Sequence, residues 1–177
     1  AKFIVYLHWN YELELYPHPY DRELAHAMID LGVDVIIGSH SHIVQGFEYY
    51  KGKPILYGIG NFAFPQHVFF RGKHKYPSNA CKQCAFELDI NTLQIYCHWF
   101  VYNPITQVVK YEYSENIIHS RWLNKISEFS ILSDKQYIQF FRNNRQKRKF
   151  LPIFYYKQSK LTNFLKYQYV FRIRHVL

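Results

Sequence analysis

The stretch that most constrains the fold is a short run, residues 33–37, which is apolar except for Asp34, ends at Gly38 and is followed by His40 and His42. A mainly apolar run of about four to eight residues, bounded by a glycine, is typical of a buried strand. Strands of this kind are common in parallel sheets, whose two faces are both covered. We therefore predict a parallel strand that delivers both histidines into the loop at its carboxyl end.

A second apolar run precedes this strand and carries a third histidine. We interpret residues 2–9 as a strand buried on both faces, with His8 near its end. From about Tyr20, apolar side chains recur on one helical face, and Gly32 occupies the position at which helices commonly end. The order strand, helix, strand predicts a βαβ unit. Functional groups in such sheets collect at the carboxyl ends of the strands, so the three histidines are predicted to lie together.

The three histidines allow two interpretations. Imidazole is a good ligand for zinc, manganese and iron, and a Gly-x-His-x-His loop after a buried strand suggests a metal site. A histidine at a sheet edge is more often an ordinary polar residue, and the spacing alone supports the two interpretations about equally. The remaining histidines have no such context, and surface or core roles are predicted for them. They are His18, His26, His67, His74, His98, His119 and His175.

The rest of the chain first predicts further strands and then helices. Strands are predicted at residues 44–50, 54–57, 85–90, 93–102 and 108–113. Short polar turns separate the members of the first two pairs, so two antiparallel hairpins are expected. The two glycines within residues 58–62 predict an irregular bend. Helical patterns occupy residues 119–129 and 134–147, and Ser133 is the predicted N-cap of the second.

The positive charge is concentrated in the last part of the chain. Residues 1–134 hold 11 Lys/Arg and all 13 Asp/Glu, whereas residues 135–177 hold 11 Lys/Arg and no acidic residue. A basic, aromatic segment of this kind attracts acidic or phosphate-rich partners. Clusters of basic residues are typical of contact with anionic membrane surfaces, although a solvated basic face on ordinary helices explains them equally well. Nucleic acid is the less favoured partner, because no nucleic-acid-binding fold is recognisable.

The cysteines do not predict a disulfide framework or a complete zinc site. Cys81 and Cys84 have the CxxC spacing, but Cys97 is the only other cysteine and no second pair completes four thiolates. Free cysteines are commonly buried as small apolar residues. We therefore interpret all three as packing residues.

Several stretches of the chain, taken together, closely resemble one family. They are residues 8–12, 38–42, 44–46, 51–55 and 57–62. In order and spacing they resemble the CapA family, the capsule and poly-γ-glutamate biosynthesis proteins of the metallophosphoesterase (calcineurin-like) superfamily. The resemblance covers about residues 2–104, and the segment beyond residue 115 does not contribute.

The resemblance implies a mixed α/β fold, in the form of part of a four-layer αββα sandwich. It divides the chain into residues 1–114, the C-terminal half of a CapA-like domain, and residues 115–177, a basic aromatic helical extension. In the superfamily a two-metal centre lies between the two sheets, so the resemblance also implies divalent ions, namely manganese, iron or zinc.

The resemblance also implies roles for individual residues. His8 and His40 would bind one metal ion, and His42 would bind the other. Glu12 keeps an acidic position of the family and would face the substrate or support a ligand. Asn61 matches a Gly-Asn-Phe stretch near the pocket, although an asparagine that holds its own turn is an equally good interpretation. We name Glu12 and Asn61 as the candidate catalytic residues.

This sequence departs from the family pattern in two respects. Asn10 stands where the family signature has glycine, which bears on the path of that loop. In addition, superfamily members carry Asp-x-His, Gly-Asp and Gly-Asn-His/Glu motifs upstream of these elements, and none is found here. The carboxylate that bridges the two metals comes from that half. We therefore expect that this chain requires an N-terminal half for a complete site, and that it is a metallophosphoesterase-like hydrolase only when so completed.

The resulting functional hypothesis is a CapA-like, metal-dependent protein of capsule, poly-γ-glutamate or other anionic exopolymer synthesis or export. Its expected partner is an anionic polymer or a phosphate-containing substrate, and the family resemblance suggests association with the cell envelope. The alternative is a non-catalytic module whose basic tail binds an anionic polymer or membrane surface.

Overall fold

The computed structural model describes residues 1–63 and 77–145. Within them the chain forms a mixed α/β structure with two sheets and few helices. No helix among these residues is both long enough and apolar enough to span a membrane. The strands are β1 (Ile4–His8), β2 (Val35–Ser39), β3 (Phe47–Tyr50), β4 (Lys53–Leu56), β5 (Lys82–Leu88), β6 (Ile95–Asn103) and β7 (Val108–Asn116). The helices are α1 (Pro19–Asp30), α2 (Arg121–Ile126) and α3 (Asp134–Asn144).

The first sheet contains the predicted βαβ unit. Its strand order is β1-β2-β4-β3, with β1, β2 and β4 parallel and β3 antiparallel to β4. Helix α1 connects β1 to β2 and ends before Gly32, whose φ of +108° is a conformation that glycine adopts without a Cβ penalty. The predicted hairpin at residues 44–57 is confirmed, since β3 and β4 pair across the turn at Lys51 and Gly52.

The second sheet has the order β5-β6-β7, and both of its pairings are antiparallel. The predicted strands at residues 85–90, 93–102 and 108–113 are therefore confirmed, although β5 begins earlier, at Lys82, and β7 continues to Asn116. Cys84 and Cys97 are buried and free, as packing residues are expected to be, and Cys81 is half-buried and free.

Two apolar cores lie on opposite faces of the first sheet. Ile36 and Ile55 belong to a core with side chains of α1 and α3, whereas Leu56 belongs to a core with β5, β6 and α2. Alternate residues of a strand point to opposite faces, so one sheet carries helices on one side and the second sheet on the other. His40 and His42 follow the end of β2 in this layered structure, and both are half-buried.

One prediction about the first sheet is wrong. Residues 2–9 were expected to form a strand covered on both faces, but β1 is an edge strand in the described part of the chain. Val5 and Leu7 pack against the first core, whereas Ile4 and Tyr6 on the other face are exposed by 42% and 63%. The apolar pattern of residues 2–9 correctly predicts a strand, but it does not reveal what covers each face.

The helical part packs against the first sheet. Phe129, Tyr137 and Phe141 share one core with Trp9 and Ile36. Ser133 precedes α3 as predicted, and the side chain of Gln136 accepts a hydrogen bond from its backbone N–H. The division at residue 114 stays a prediction, and in the described residues the two parts share a core. Residues 146–177, which hold most of the basic tail, lie outside the described residues.

Candidate metal centre

Parallel pairing of β1 and β2 brings three histidines to one end of the sheet. His8 is the last residue of β1 and lies opposite Ser39, the last residue of β2. His40 follows directly, and the ring centroids of His8 and His40 are 4.5 Å apart. The rings of His40 and His42 are 6.0 Å apart. The predicted proximity of the three imidazoles is therefore observed.

Gly38 is required where these strands end, because Trp9 passes directly beneath it. A Cβ atom at position 38 would lie 2.1 Å from the indole Nε1 of Trp9 and 2.1 Å from the carbonyl oxygen of Tyr57. The indole N–H donates to that same carbonyl at 2.9 Å. The glycine of the Gly-x-His-x-His loop and the tryptophan after His8 thus form one packing unit.

The loop after β1 folds back over the end of the sheet and positions Glu12. The backbone N–H of Leu13 donates to the carbonyl oxygen of Ser41 at 2.7 Å, which ties the loop to the segment between His40 and His42. Asn10 anchors the beginning of the loop, since its side chain donates to the carbonyl oxygen of Tyr57 and accepts from the backbone N–H of His18. Asn10 has a φ of +69°, a left-handed conformation that favours glycine but that asparagine also tolerates. Asparagine can therefore occupy the position at which the family signature has glycine.

Glu12, His40 and His42 form a cluster of potential metal ligands. One ligand atom from each side chain lies within 4.8 Å of the others, and all three side chains are half-buried. In residues 1–63 and 77–145 no other group of three His, Cys, Asp or Glu side chains meets this condition. His8 lies outside the group of three but against the ring of His40. The cluster therefore includes Glu12, which had been predicted to face the substrate or support a ligand.

Asn61 contacts the cluster through His42. Its side-chain oxygen lies 2.7 Å from Nδ1 of His42, and its side-chain nitrogen donates to the carbonyl oxygen of His42 at 3.2 Å. The side chain therefore binds the neighbouring loop, which argues against the interpretation that it only holds its own turn. The backbone N–H of Asn61 donates to the side chain of Gln83, a buried residue of the second sheet.

The backbone around the cluster is strained. Asn10, Leu13, His40, His42 and Phe62 all have φ between 59° and 88°. Such conformations cost about 1–3 kcal/mol each in residues other than glycine, and they concentrate at functional sites. Their presence in the loops around one group of potential ligands supports a functional interpretation of that group.

Two further titratable groups lie behind the loop. Burial raises the pKa of Asp21 to about 6, although the backbone N–H of Asn10 donates to its carboxylate. Burial, with a smaller contribution from Arg145, lowers the pKa of His18 to about 4. Nδ1 of His18 accepts from the backbone N–H of Tyr20 at the start of α1, which identifies it as a helix cap. His18 therefore has the structural role predicted from its lack of a motif.

The chemistry of the cluster suits a divalent transition metal. Imidazole nitrogens and a carboxylate oxygen are ligands that zinc, manganese and iron accept. The described residues thus fit the kind of ion that the resemblance implies, and the ligand roles of His8, His40 and His42 stay predictions. His26 and His98 instead bind Glu48 and Glu87, while His67, His74 and His175 lie outside the described residues.

Residues 1–66 match the sequence profile of a protein family described as bacterial capsule synthesis protein PGA_cap. Residues 1–66 are therefore similar to the bacterial capsule synthesis proteins of this family. A stretch of 63 residues is 44% identical to the capsule biosynthesis protein CapA of Bacillus anthracis, covering 36% of this chain and 15% of that protein. A stretch of the same length is 43% identical to the PGA biosynthesis protein CapA of Bacillus subtilis, covering 36% and 17%.

A third relative is the probable polyglutamine synthesis accessory protein of Mycobacterium tuberculosis. It is 43% identical over 58 residues, which cover 33% of this chain and 15% of the relative. The matches thus span less than a fifth of the length of these relatives. The CapA match includes β1, the Gly-x-His-x-His loop and Asn61, so every residue of the candidate metal centre except Gln83 lies in the family segment.

Proposed function

We propose that the chain is part of a CapA-type protein that acts in the synthesis or export of an anionic exopolymer, such as capsular material or poly-γ-glutamate. Three relatives of this chain carry names that refer to capsule, PGA or polyglutamine synthesis. The observation that carries the proposal is the convergence of Glu12, His40 and His42 within that segment. The fold that we propose for the complete domain is the αββα sandwich of the metallophosphoesterases.

At this centre His40, His42 and Glu12 would hold a divalent ion, and His8 lies close enough to His40 to contribute to the same centre. When bound, the ion supplies Lewis acidity toward a phosphoryl or acyl oxygen. The two imidazoles and the carboxylate would bind the ion, and Asn61 would orient His42. A second ion would need further anionic ligands, which we assign to the remainder of a CapA-type domain.

The exposed face of β1 supports the need for that remainder. Ile4 and Tyr6, the apolar residues of β1 that point away from the first core, are exposed by 42% and 63%. Parallel sheets are normally covered on both faces, and a long apolar edge is a liability for an isolated domain. His8 continues the same alternation as Ile4 and Tyr6, so a segment that covers this face would also approach the candidate metal centre.

The test is metal binding by the chain after removal of adventitious ions. Titration calorimetry with Mn²⁺ or Zn²⁺, together with elemental analysis, should detect an ion in the unaltered protein. The double variant His40→Ala/His42→Ala should lose it. The matched control, His98→Ala/His119→Ala, removes two histidines from the second part of the chain and should keep it. Equal metal content in the two double variants would refute the assignment.

A second candidate function rests on charge. We retain the alternative that residues 135–177, with 11 basic and no acidic residues, bind an anionic polymer or membrane surface without catalysis. Binding to poly-γ-glutamate or to anionic vesicles should then weaken steeply between low and physiological ionic strength. Binding that is insensitive to salt would contradict this alternative. The histidine variant distinguishes the two proposals, because only the proposed metal centre predicts that it loses a bound ion.

A further inference from the structure

Two candidate ligands contact hydrogen-bonding partners through the same ring nitrogen. Nδ1 of His42 lies 2.7 Å from the side-chain oxygen of Asn61, and Nδ1 of His8 lies 3.3 Å from the hydroxyl oxygen of Ser39. A histidine that binds a metal through one nitrogen is usually oriented by a partner at the other. The identity of the donor in each contact therefore determines which nitrogen can face an ion.

The two hydrogen bonds of the Asn61 side chain identify which atom is the donor at His42. The amide nitrogen of Asn61 donates to the backbone carbonyl oxygen of His42, which can only accept. The amide is thereby oriented with its oxygen toward Nδ1, and an amide oxygen can also only accept. Nδ1 of His42 must then carry the proton. In the neutral ring the lone pair is left on Nε2.

The same reasoning applies to His8, with a longer contact. The hydroxyl of Ser39 donates to the carbonyl oxygen of Leu7 at 3.1 Å, which uses its single proton. The hydroxyl oxygen then accepts from Nδ1 of His8, so Nε2 again carries the lone pair. At 3.3 Å this hydrogen bond is weaker than the one at His42.

Gln83 fixes the position of Asn61 from the second sheet. Its side-chain oxygen accepts from the backbone N–H of Asn61 at 3.2 Å, and its side-chain nitrogen donates to the carbonyl oxygen of Ala80. Gln83 is 1% exposed, so both bonds are shielded from water. The orientation of His42 therefore depends on a residue of β5, beyond the segment that matches the CapA family.

We infer that Asn61 and Ser39 are positioning residues that hold His42 and His8 in the Nδ1–H tautomer, so that both offer Nε2 to a metal ion, and that Gln83 holds Asn61 in place. This inference rests on the proposed metal centre for its purpose. The tautomer itself is a property of the metal-free chain. Free histidine prefers the Nε2–H tautomer, so the inference predicts a departure from ordinary behaviour.

The experiment reads the tautomers directly in the metal-free protein. Long-range ¹H–¹⁵N correlation spectra of histidine-labelled chain, recorded where the rings are neutral, distinguish the two tautomers, and His42→Gln and His8→Gln assign the signals. His42 should be in the Nδ1–H form, and His8 should be biased the same way. An Nε2–H form at His42 would overturn the inference.

Variants separate positioning from a merely structural role. Asn61→Leu should return His42 toward the Nε2–H form, whereas Asn61→Asp keeps an accepting oxygen and should preserve the Nδ1–H form. Ser39→Ala should change His8 without changing His42, and it provides the second test if Asn61→Leu does not fold. Asn103→Leu, which removes an asparagine at the end of β6 that has no hydrogen bond to either histidine, should change neither. If His42 keeps its tautomer in folded Asn61→Leu, the inference is refuted.

Metal affinity distinguishes failure of the inference from failure of the proposed function. With Zn²⁺ or Mn²⁺ as the probe, Asn61→Leu should bind about 10- to 100-fold more weakly than the unaltered chain. Equal affinity in the two would refute the positioning role while leaving the metal centre intact. If the unaltered chain binds neither ion, the proposed metal centre fails, and the tautomer spectra alone decide whether Asn61 orients His42.

Discussion

Arg22 of α1 and Glu48 of β3 form a buried ion pair in which the guanidinium Nη2 lies 3.1 Å from a carboxylate oxygen. The side chains are 4% and 3% exposed. The other guanidinium nitrogen, Nη1, donates to the carbonyl oxygen of Leu132 and to Asp134. One arginine therefore joins the first helix, the first sheet and the start of α3.

Loss of Arg22 should destabilise the fold strongly. Burial alone would raise the pKa of Glu48, but hydrogen bonds from His26, Arg22 and Tyr57 lower it below its ordinary value. The carboxylate thus stays charged and needs its partner, so Arg22→Met should lower the free energy of unfolding by about 3–5 kcal/mol. Urea unfolding measures this. The double variant Arg22→Met/Glu48→Gln should lose less unfolding free energy than Arg22→Met, because it leaves no charged carboxylate unpaired. A larger loss in the double variant would show that an unpaired buried charge is not the cause.

Gly38→Ala should disturb both the fold and the candidate metal centre. The added methyl group would overlap the indole of Trp9 and the Tyr57 carbonyl, and backbone cannot move aside as a flexible side chain can. We expect a loss of about 1–3 kcal/mol in unfolding free energy, together with weaker metal binding. Gly52→Ala tests glycine loss away from the centre, since nothing lies near a Cβ there. Its φ of +75° still strains alanine, so it should destabilise without affecting metal affinity.

Asn10→Gly and Asn10→Ala should differ in a defined order. Both variants lose the side-chain hydrogen bonds to Tyr57 and His18. Alanine is also destabilised by the left-handed backbone conformation at this position, by about 1–2 kcal/mol, whereas glycine is not. Asn10→Gly, which restores the residue of the family signature, should therefore be the more stable variant. Thermal unfolding of the two proteins provides the comparison. Equal stability would mean that the loop relaxes out of the positive-φ conformation.

The sequence predicts the central part of this site because local pattern and parallel topology are sufficient for it. Apolar runs locate β1 and β2, and the ends of neighbouring parallel strands must meet, which places His8 beside His40. Glu12 was named as a site residue, but its position in the cluster depends on long-range bonds such as that from Leu13 to Ser41. Hydrophobic periodicity carries no information about such bonds.

Other features had no signal in the sequence. Gln83 follows Asn61 by 22 residues and belongs to the other sheet, so only tertiary packing brings the two together. Ser39 lies within the recognised histidine loop, and its position beside His8 becomes evident only once strand register is known. The exposure of Tyr6 was predicted wrongly, because apolar residues identify a strand without specifying its neighbours.

The exposed β1 face leads to a prediction about self-association. If another segment normally covers β1, the chain on its own should associate through β1 at high concentration, since unpaired edge strands favour pairing with other chains. Tyr6→Lys should reduce that association in sedimentation experiments. Ile105→Lys makes a similar change at an apolar residue of the turn between β6 and β7 that is 91% exposed, and it should have little effect. Equal association of the two variants would exclude β1 as the contact.

Asp21 should make the protein less stable as the pH rises from about 4 to 6. Its pKa in the folded protein is about 6, against 3.8 in the unfolded chain, so the folded state binds the extra proton over this interval. Ionisation of the buried carboxyl is thus unfavourable at neutral pH. Asp21→Asn removes this cost while keeping an oxygen that can accept from the backbone of Asn10.

The expected gain for Asp21→Asn at pH 7 is at most about 3 kcal/mol, since each pKa unit corresponds to about 1.4 kcal/mol. The gain should shrink as the pH falls toward 4, where the native carboxyl is already protonated. Urea unfolding across this range measures the difference, and Glu23→Gln removes a charge from an exposed position of the same helix as the control. His18, whose lowered pKa of about 4 acts in the opposite direction, is present in both proteins, so its contribution cancels in the comparison. A gain that does not depend on pH would show that burial of the Asp21 charge is not its cause.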